Sequence, residues 1–288
     1  MTQAKNSKST SYLKERRSYC TGFWRVAENK KYGADHYHKY LPLTLDMIRG
    51  SNLIFHYESE QEVSLVRDLC AKRNISLTEV RLNLRDLPAF NMASEFVEAC
   101  CGMKLDRFTT PPYHESEKGM IHFWRDLKGS GKTAYCEMLA IWLSKVPIAT
   151  QIATSEAQDS PVAWIDVSIS RFAGQRQNHD FHNLELPHQK LSHYASSMKF
   201  YGARLPLTAS FLSATGPVWQ QVSQEYSVSL DKALAMPYGH DEETVLADCV
   251  WRRPDLFHCV GLPYQLVNKS KSKRLISMML RAFGKSID

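Results

Sequence analysis

The sequence predicts an α/β fold, a Rossmann-like mixed sheet flanked by helices. Two observations carry this. Between residues 52 and 101, short apolar runs alternate with stretches of helical period, as crossover units require. Further on, Val162 to Ile165 are four consecutive apolar residues with β-branched and aromatic members, the pattern of a strand buried on both faces.

In chain order, Tyr19 to Val26 reads as a first strand running into a loop. Tyr40 to Arg49 places Leu41, Leu45 and Ile48 on one helical face. Asn52 to Tyr57 is a strongly apolar strand, and Glu58 to Arg73 is a helix with Val63, Val66, Leu69 and Cys70 on one side. Ile75 to Leu82 is a short strand, Ala93 to Cys101 a helix, and Thr109 to Lys118, with its Pro-Pro pair, a loop. Tyr135 to Val146 forms the next helix, and Pro147 to Ser160 is expected to be a connector. Residues 173–200 are polar, hold four histidines and lack periodicity, so a long irregular excursion is expected there. Leu205 to Ala214 suits a strand, and Val218 to Leu234 a helix with Trp219, Val222, Tyr226 and Leu230 near helical spacing. Asp241 opens the last helix as an N-cap, with acidic residues behind it in the favourable first turn.

Charge divides the chain into three parts. Residues 1–40 carry nine Lys/Arg against three Asp/Glu, and residues 264–288 carry six against one, so a chain of net charge +6 has an acidic middle and basic ends. The organisation read from this is a basic leader over 1–18, one domain over 19–264 and a basic amphipathic tail over 265–288. Leu275, Ile276, Met279, Leu280 and Phe283 of that tail share a helical stripe. Such ends suit an anionic surface or a polyanionic partner; solvated tails fit equally. The polar start, Met1 to Ser11, lacks the apolar core of a signal peptide, and no run approaches the ~20 apolar residues of a membrane span. Seven cysteines without a C-x-x-C pair point to reduced thiols. Together these predict a cytoplasmic protein, with peripheral contact to the inner membrane face through its ends.

Several residues carry candidate chemistry. Asp166 ends the buried Val162–Ile165 run, at the carboxyl end of a strand, where open α/β sheets place ligands. A carboxylate held there can take a hard cation carrying phosphate oxygens, or it can cap the following turn. Ser168 beside it is small enough to admit a bulky ligand. Thr21, Gly22 and Phe23 end the first strand, where Gly22 would let the backbone approach a nucleotide. Asp241 and Glu242 have a capping reading and a functional one, in which a carboxylate faces a cleft as a base. Asp35, His36 and His38, and His179 with His182, have the residue types of metal sites, but surface histidines account for them as well. Lys128 to Thr133 ends in the Gly-Lys-Thr of a phosphate-binding loop. That pattern needs glycine at position 126, where Asp126 stands, and a buried strand before it, which Phe123 to Leu127 does not provide.

Taken in order, Thr21-Gly-Phe-Trp24, Leu53-Ile-Phe-His-Tyr57, the Ser144-Lys145 pair, Ala163-Trp-Ile-Asp-Val-Ser-Ile-Ser-Arg-Phe172 and His240-Asp-Glu-Glu-Thr-Val-Leu246 resemble the HtrL/YibB-type (WlaTC-like) glycosyltransferases, related to the GT-A class. The likeness runs from about residue 19 to 264. It implies a GT-A-like domain that moves a sugar from a nucleotide-sugar donor, UDP-linked by preference, to an acceptor hydroxyl. In that family an acidic D-x-D motif holds Mn²⁺ or Mg²⁺ on the diphosphate. Asp166 would be its first ligand, and position 168 is Ser where the second would stand, leaving His258 as a candidate to complete the shell. Lys145 would neutralise phosphate, and Asp241 or Glu242 would lie near the acceptor. The resemblance favours a surface glycan as acceptor, while the basic ends fit hydroxymethylated bases in DNA. A P-loop kinase and a non-catalytic nucleic-acid-binding protein are the readings from other classes.

Overall fold

Neighbouring side chains of the central strands are buried on opposite faces, so helices must cover both sides. Along β1 (Ser18–Phe23), Tyr19 joins one apolar core and Cys20 the other. Along β4 (Val162–Ile165), Val162 and Trp164 point one way, Ala163 and Ile165 the other. A period of two with both phases apolar is what a doubly covered sheet needs. The computed structural model describes residues 17–29, 33–101, 119, 122–171, 181, 184–200, 202–235 and 241–261.

The covering helices divide accordingly. On one face lie α1 (Ala34–Asp46) and α2 (Glu60–Ala71), bringing Leu41, Leu45, Val63, Val66 and Cys70. The other face is packed by α3 (Phe90–Cys101), α4 (Lys132–Leu143), α5 (Lys145–Ser155), α6 (Gly216–Leu234) and α7 (Glu242–Arg252). No helix of the described residues is long and apolar enough to cross a membrane.

Between these layers runs a seven-stranded sheet, β3-β2-β1-β4-β8-β5-β9, with β2 (Asn52–Tyr57), β3 (Ser76–Arg81), β5 (Leu191–Tyr194), β8 (Thr208–Ala214) and β9 (Phe257–Gly261). Six strands are parallel and β8 alone runs against its neighbours β4 and β5. The short strands β6 (Lys199–Phe200) and β7 (Ala203–Arg204) form a separate hairpin. The α/β, Rossmann-like expectation holds, and one sheet gathers strands from residue 18 to residue 261.

Three expectations are corrected. The proposed connector after Pro147 is mostly helix: α5 starts at Lys145, and Pro147 sits in its first turn, where a missing N–H costs nothing. The excursion over 173–200 contains β5, whose four residues are all buried although one is His193 and one Ser192. The leader does not reach residue 18, since Ser18 begins β1 and Arg17 donates to the carbonyl of Phe181 at 2.9 Å. The rest of the leader, the Pro111-Pro112 loop, His179, His182 and the tail over 265–288 lie outside the described residues.

Candidate functional site

The order of strands creates the site. The chain runs outward from β1 through α1 to β2 and β3, then returns to lay β4 on the other flank of β1. At such a reversal the carboxyl ends of two adjacent parallel strands leave a crevice, the usual ligand position in open α/β sheets. A cleft of about 710 Å³ opens there, between the tips of β1 and β4. Thr21, Gly22 and Phe23 line it from β1, and Asp166 and Ser168 from the turn after β4. Asp241, Glu242 and Glu243 enter from the start of α7, and Lys145 from the start of α5.

The turn after β4 is pinned on both sides. The Asp166 N–H donates to the Ser210 carbonyl at 2.9 Å. Thr44 of α1 donates to the Val167 carbonyl at 2.8 Å, and Ser170 to the Tyr40 carbonyl at 2.8 Å. The Ser168 hydroxyl accepts from Arg171 at 2.6 Å. Asp166 is thus presented on a rigid support.

Lys145 is the centre of charge. Its ammonium lies 2.7 Å from Asp166 Oδ1 and 2.6 Å from Glu242 Oε1, and it is almost wholly buried. Burial alone would favour the neutral amine, yet the two carboxylates outweigh it and hold the lysine protonated well above its ordinary range. Burial likewise pushes against an ionised Asp166, but Lys145 and Arg171 keep that carboxyl below the usual range. Asp166 Oδ1 also accepts from the Trp164 indole at 3.1 Å.

A second buried cluster stands beside the first. A π-helix over His122–Lys128 carries His122 and Asp126 on adjacent turns. The His122 ring spans from Asp126 Oδ2, 2.8 Å from Nδ1, to Asp241 Oδ2, 3.0 Å from Nε2. Burial would lower its pKa, but the two carboxylates raise it. Arg125 donates to both oxygens of Asp126, at 2.6 and 2.8 Å. Asp241 accepts the Thr244 N–H on Oδ1 at 2.9 Å, and its own N–H donates to Thr244 Oγ1 at 3.0 Å, closing a capping box. The π-helix is thereby tied to the N-terminus of α7, which fixes where Glu242 and Glu243 point. Glu243 accepts from Thr208 Oγ1 at 2.7 Å and from the Ala209 N–H at 3.0 Å, binding α7 to β8.

Eight of the nine residues singled out from the sequence line this cleft: Thr21, Gly22, Phe23, Lys145, Asp166, Ser168, Asp241 and Glu242. His258 does not. It lies on β9, three strand positions from β4, or about 14 Å at ordinary strand spacing, too far to share one ion with Asp166. Gly22 also differs from expectation. A Cβ there would stand 2.3 Å from the Trp24 indole, so the missing side chain makes room for Trp24, which donates to the Leu82 carbonyl at 2.8 Å. Thr21 is buried, and its hydroxyl has no hydrogen-bond partner among the described residues.

Of the other motifs, His36 also lines the cleft, while His38 and the Gly-Lys-Thr segment take structural roles. Lys132 of the Gly-Lys-Thr segment follows the π-helix, not a strand, and pairs with Glu98 at 3.2 Å on the surface. His38 lies 2.7 Å from Glu62, which also receives Arg25 at 2.6 Å, and His36 packs its ring against Tyr37 and Tyr40. His122 and Asp126 escaped the sequence reading; their i, i+4 spacing was the available signal. Among the described residues no group of three or more His, Cys, Asp or Glu is arranged to hold a metal ion. The donor set fits Mn²⁺ or Mg²⁺ only in the sparse manner of Mg²⁺ sites, with Asp166 Oδ2 as the protein oxygen and phosphate and water supplying the rest. Comparison with protein-family models finds none that matches this chain, and comparison with curated proteins finds no significant match.

Proposed function

We propose that the protein is a nucleotide-sugar-dependent glycosyltransferase of GT-A-like type, with a UDP-linked donor and an acceptor hydroxyl on a glycan. The observation that carries the reading is Lys145, a buried ammonium held between Asp166 and Glu242 in a cleft at the reversal of strand order. A departing diphosphate gains negative charge, and a fixed cation in a partly dry cleft stabilises it far more than water does. The cleft has the size of a pocket for a ligand of this kind. The Thr21 hydroxyl, without a partner among the described residues, supports a ligand with a polar edge near the β1 tip, since leaving a buried hydroxyl unpaired costs about 1–3 kcal/mol.

In this mechanism the bond from the sugar's anomeric carbon to the phosphate oxygen breaks, and its electron pair leaves on the diphosphate. The acceptor oxygen bonds to that carbon, and its proton passes to the Glu242 carboxylate. Asp241 positions Glu242 and takes no proton itself, because both its oxygens are engaged by Thr244 and His122. Lys145 faces the diphosphate. Asp166 Oδ2 would hold Mn²⁺ or Mg²⁺, which when bound supplies further neutralisation of the phosphate charge. A hydroxymethylated base in duplex DNA is the alternative acceptor that the basic ends would suit.

A thermal-shift screen of UDP-, GDP- and CDP-sugars, with and without Mn²⁺, tests the donor. At a ligand concentration of 100 Kd, stabilisation of about 2.7 kcal/mol is expected for the right nucleotide. Asp166→Asn should abolish any Mn²⁺-dependent part of the shift. If no nucleotide sugar raises the melting temperature, the transferase reading fails.

A further inference from the structure

One wall of the cleft is not explained by a nucleotide diphosphate. Met138, Ile141, Trp142 and Lys145 all line it, at helical spacing, from α4 into the start of α5. The first three are apolar, Met138 buried and Ile141 and Trp142 half-buried, and Lys145 continues the series. The Trp142 indole, half-buried, lies 5.2 Å from the His122 ring, and His122 in turn binds Asp241, the residue before Glu242. This apolar strip is therefore linked to the start of α7 through His122. An apolar, aromatic surface beside a carboxylate is what a sugar ring needs, since its C–H face can lie on an indole while its hydroxyls reach polar groups.

Charge argues against a nucleic acid on this wall. Of the cleft's four cations, Arg25 is paired with Glu62, Arg125 with Asp126 and Lys145 with Asp166 and Glu242, while Arg171 donates to the Ser168 hydroxyl. Asp241, Glu242 and Glu243 add negative charge at the same end. A duplex brings a dense row of phosphates, which needs a row of cations rather than the few that a single diphosphate can use.

We propose that the Met138–Ile141–Trp142 strip is the acceptor subsite, and that it takes an uncharged saccharide ring stacked on Trp142, with the reacting hydroxyl turned toward Glu242. This rests on the transferase reading and adds to it the place where the acceptor binds and the residue that selects it.

The test uses the full chain and the donor found by thermal shift. Methyl glycosides of glucose, galactose, mannose and N-acetylglucosamine, and a duplex containing hydroxymethylcytosine, serve as acceptors, with product read by mass spectrometry. Transfer to at least one glycoside is expected. In Trp142→Ala the acceptor KM should rise about tenfold, the loss of one good aromatic contact, with Trp142→Phe intermediate. Donor-induced stabilisation should be unchanged in both variants, which shows that they fold and bind donor. An unchanged acceptor KM in Trp142→Ala overturns the subsite. So does transfer to the duplex and to no glycoside, or a bound donor that transfers to neither. Absence of any donor stabilisation in the parent chain instead sinks the transferase reading itself.

Discussion

Lys145 shows how one side chain can be both an anchor and a source of strain. Removing one member of a buried ion group leaves its partners charged and unpaired, which costs about 3–5 kcal/mol. Lys145→Met should therefore lower the unfolding free energy from urea titration by that order with an unchanged slope, because it leaves Asp166 and Glu242 facing each other across an uncharged side chain. Adding Glu242→Gln to that variant should recover part of the loss, since it removes the like-charge contact. If the two changes prove simply additive, the carboxylates do not share the lysine. Gly22 makes a separate point. With the Trp24 ring 2.3 Å from where a Cβ would be, Gly22→Ala forces the indole to move, and overpacking of this kind costs about 1–3 kcal/mol. Trp24→Ala should remove most of that penalty in a double-mutant cycle, whereas a glycine kept for close approach of a nucleotide would show no coupling to Trp24.

At the scale of elements, the start of α7 decides the geometry of the acidic side of the cleft. Asp241 caps the helix through Oδ1 and meets His122 through Oδ2, so the two functions separate by substitution. Asp241→Asn keeps a capping oxygen but removes the charge opposite His122; Asp241→Ala removes both. Loss of the cap alone costs about 1 kcal/mol. The alanine variant should be less stable than the asparagine variant by about that amount in chemical denaturation, and equal stabilities would mean that the cap contributes nothing. This helix also shows what was legible in the sequence. An Asp followed by acidic residues and an apolar run announced α7 and its cap from local chemistry. Val162–Ile165 announced β4, and with it the position of Asp166, because a strand buried on both faces is apolar at every residue and this run is short and rich in β-branched and aromatic side chains. The four short residues of β5 gave no such signal: Ser192 and His193 are polar, and only the neighbours β8 and β9 make them a strand. The pairing of His122 with Asp241 joins positions 119 residues apart in the chain and depends on packing that no local pattern encodes.

Over the whole molecule, buried histidines with opposite shifts set the dependence of stability on pH. His193, in the middle of β5 and β9's shared ladder, is pushed down to about 4, chiefly by burial and further by His258 beside it. His56, buried under Trp24, is lowered for the same reason. A group whose folded pKa is depressed stabilises the fold above its unfolded pKa and loses that contribution as pH falls through the folded value. The loss from His193 therefore runs from pH 6.5 down to about 4 and amounts to roughly 3 kcal/mol. His122 works in the other direction. Its pKa is raised by Asp241 and Asp126, so its contribution is complete below the unfolded value and fades as pH climbs through the folded one. Asp126 and Asp166, both depressed, join the acid side only below their ordinary values. Stability should consequently begin to fall at about pH 6.5, above the range in which Asp126 and Asp166 take up protons. Urea unfolding of the parent chain and of His193→Gln across pH 7 to 4 measures this directly. The parent should lose stability steeply through that window and the variant should lose it less steeply. Parallel curves would mean that His193 takes up its proton in the folded state as readily as in the unfolded one.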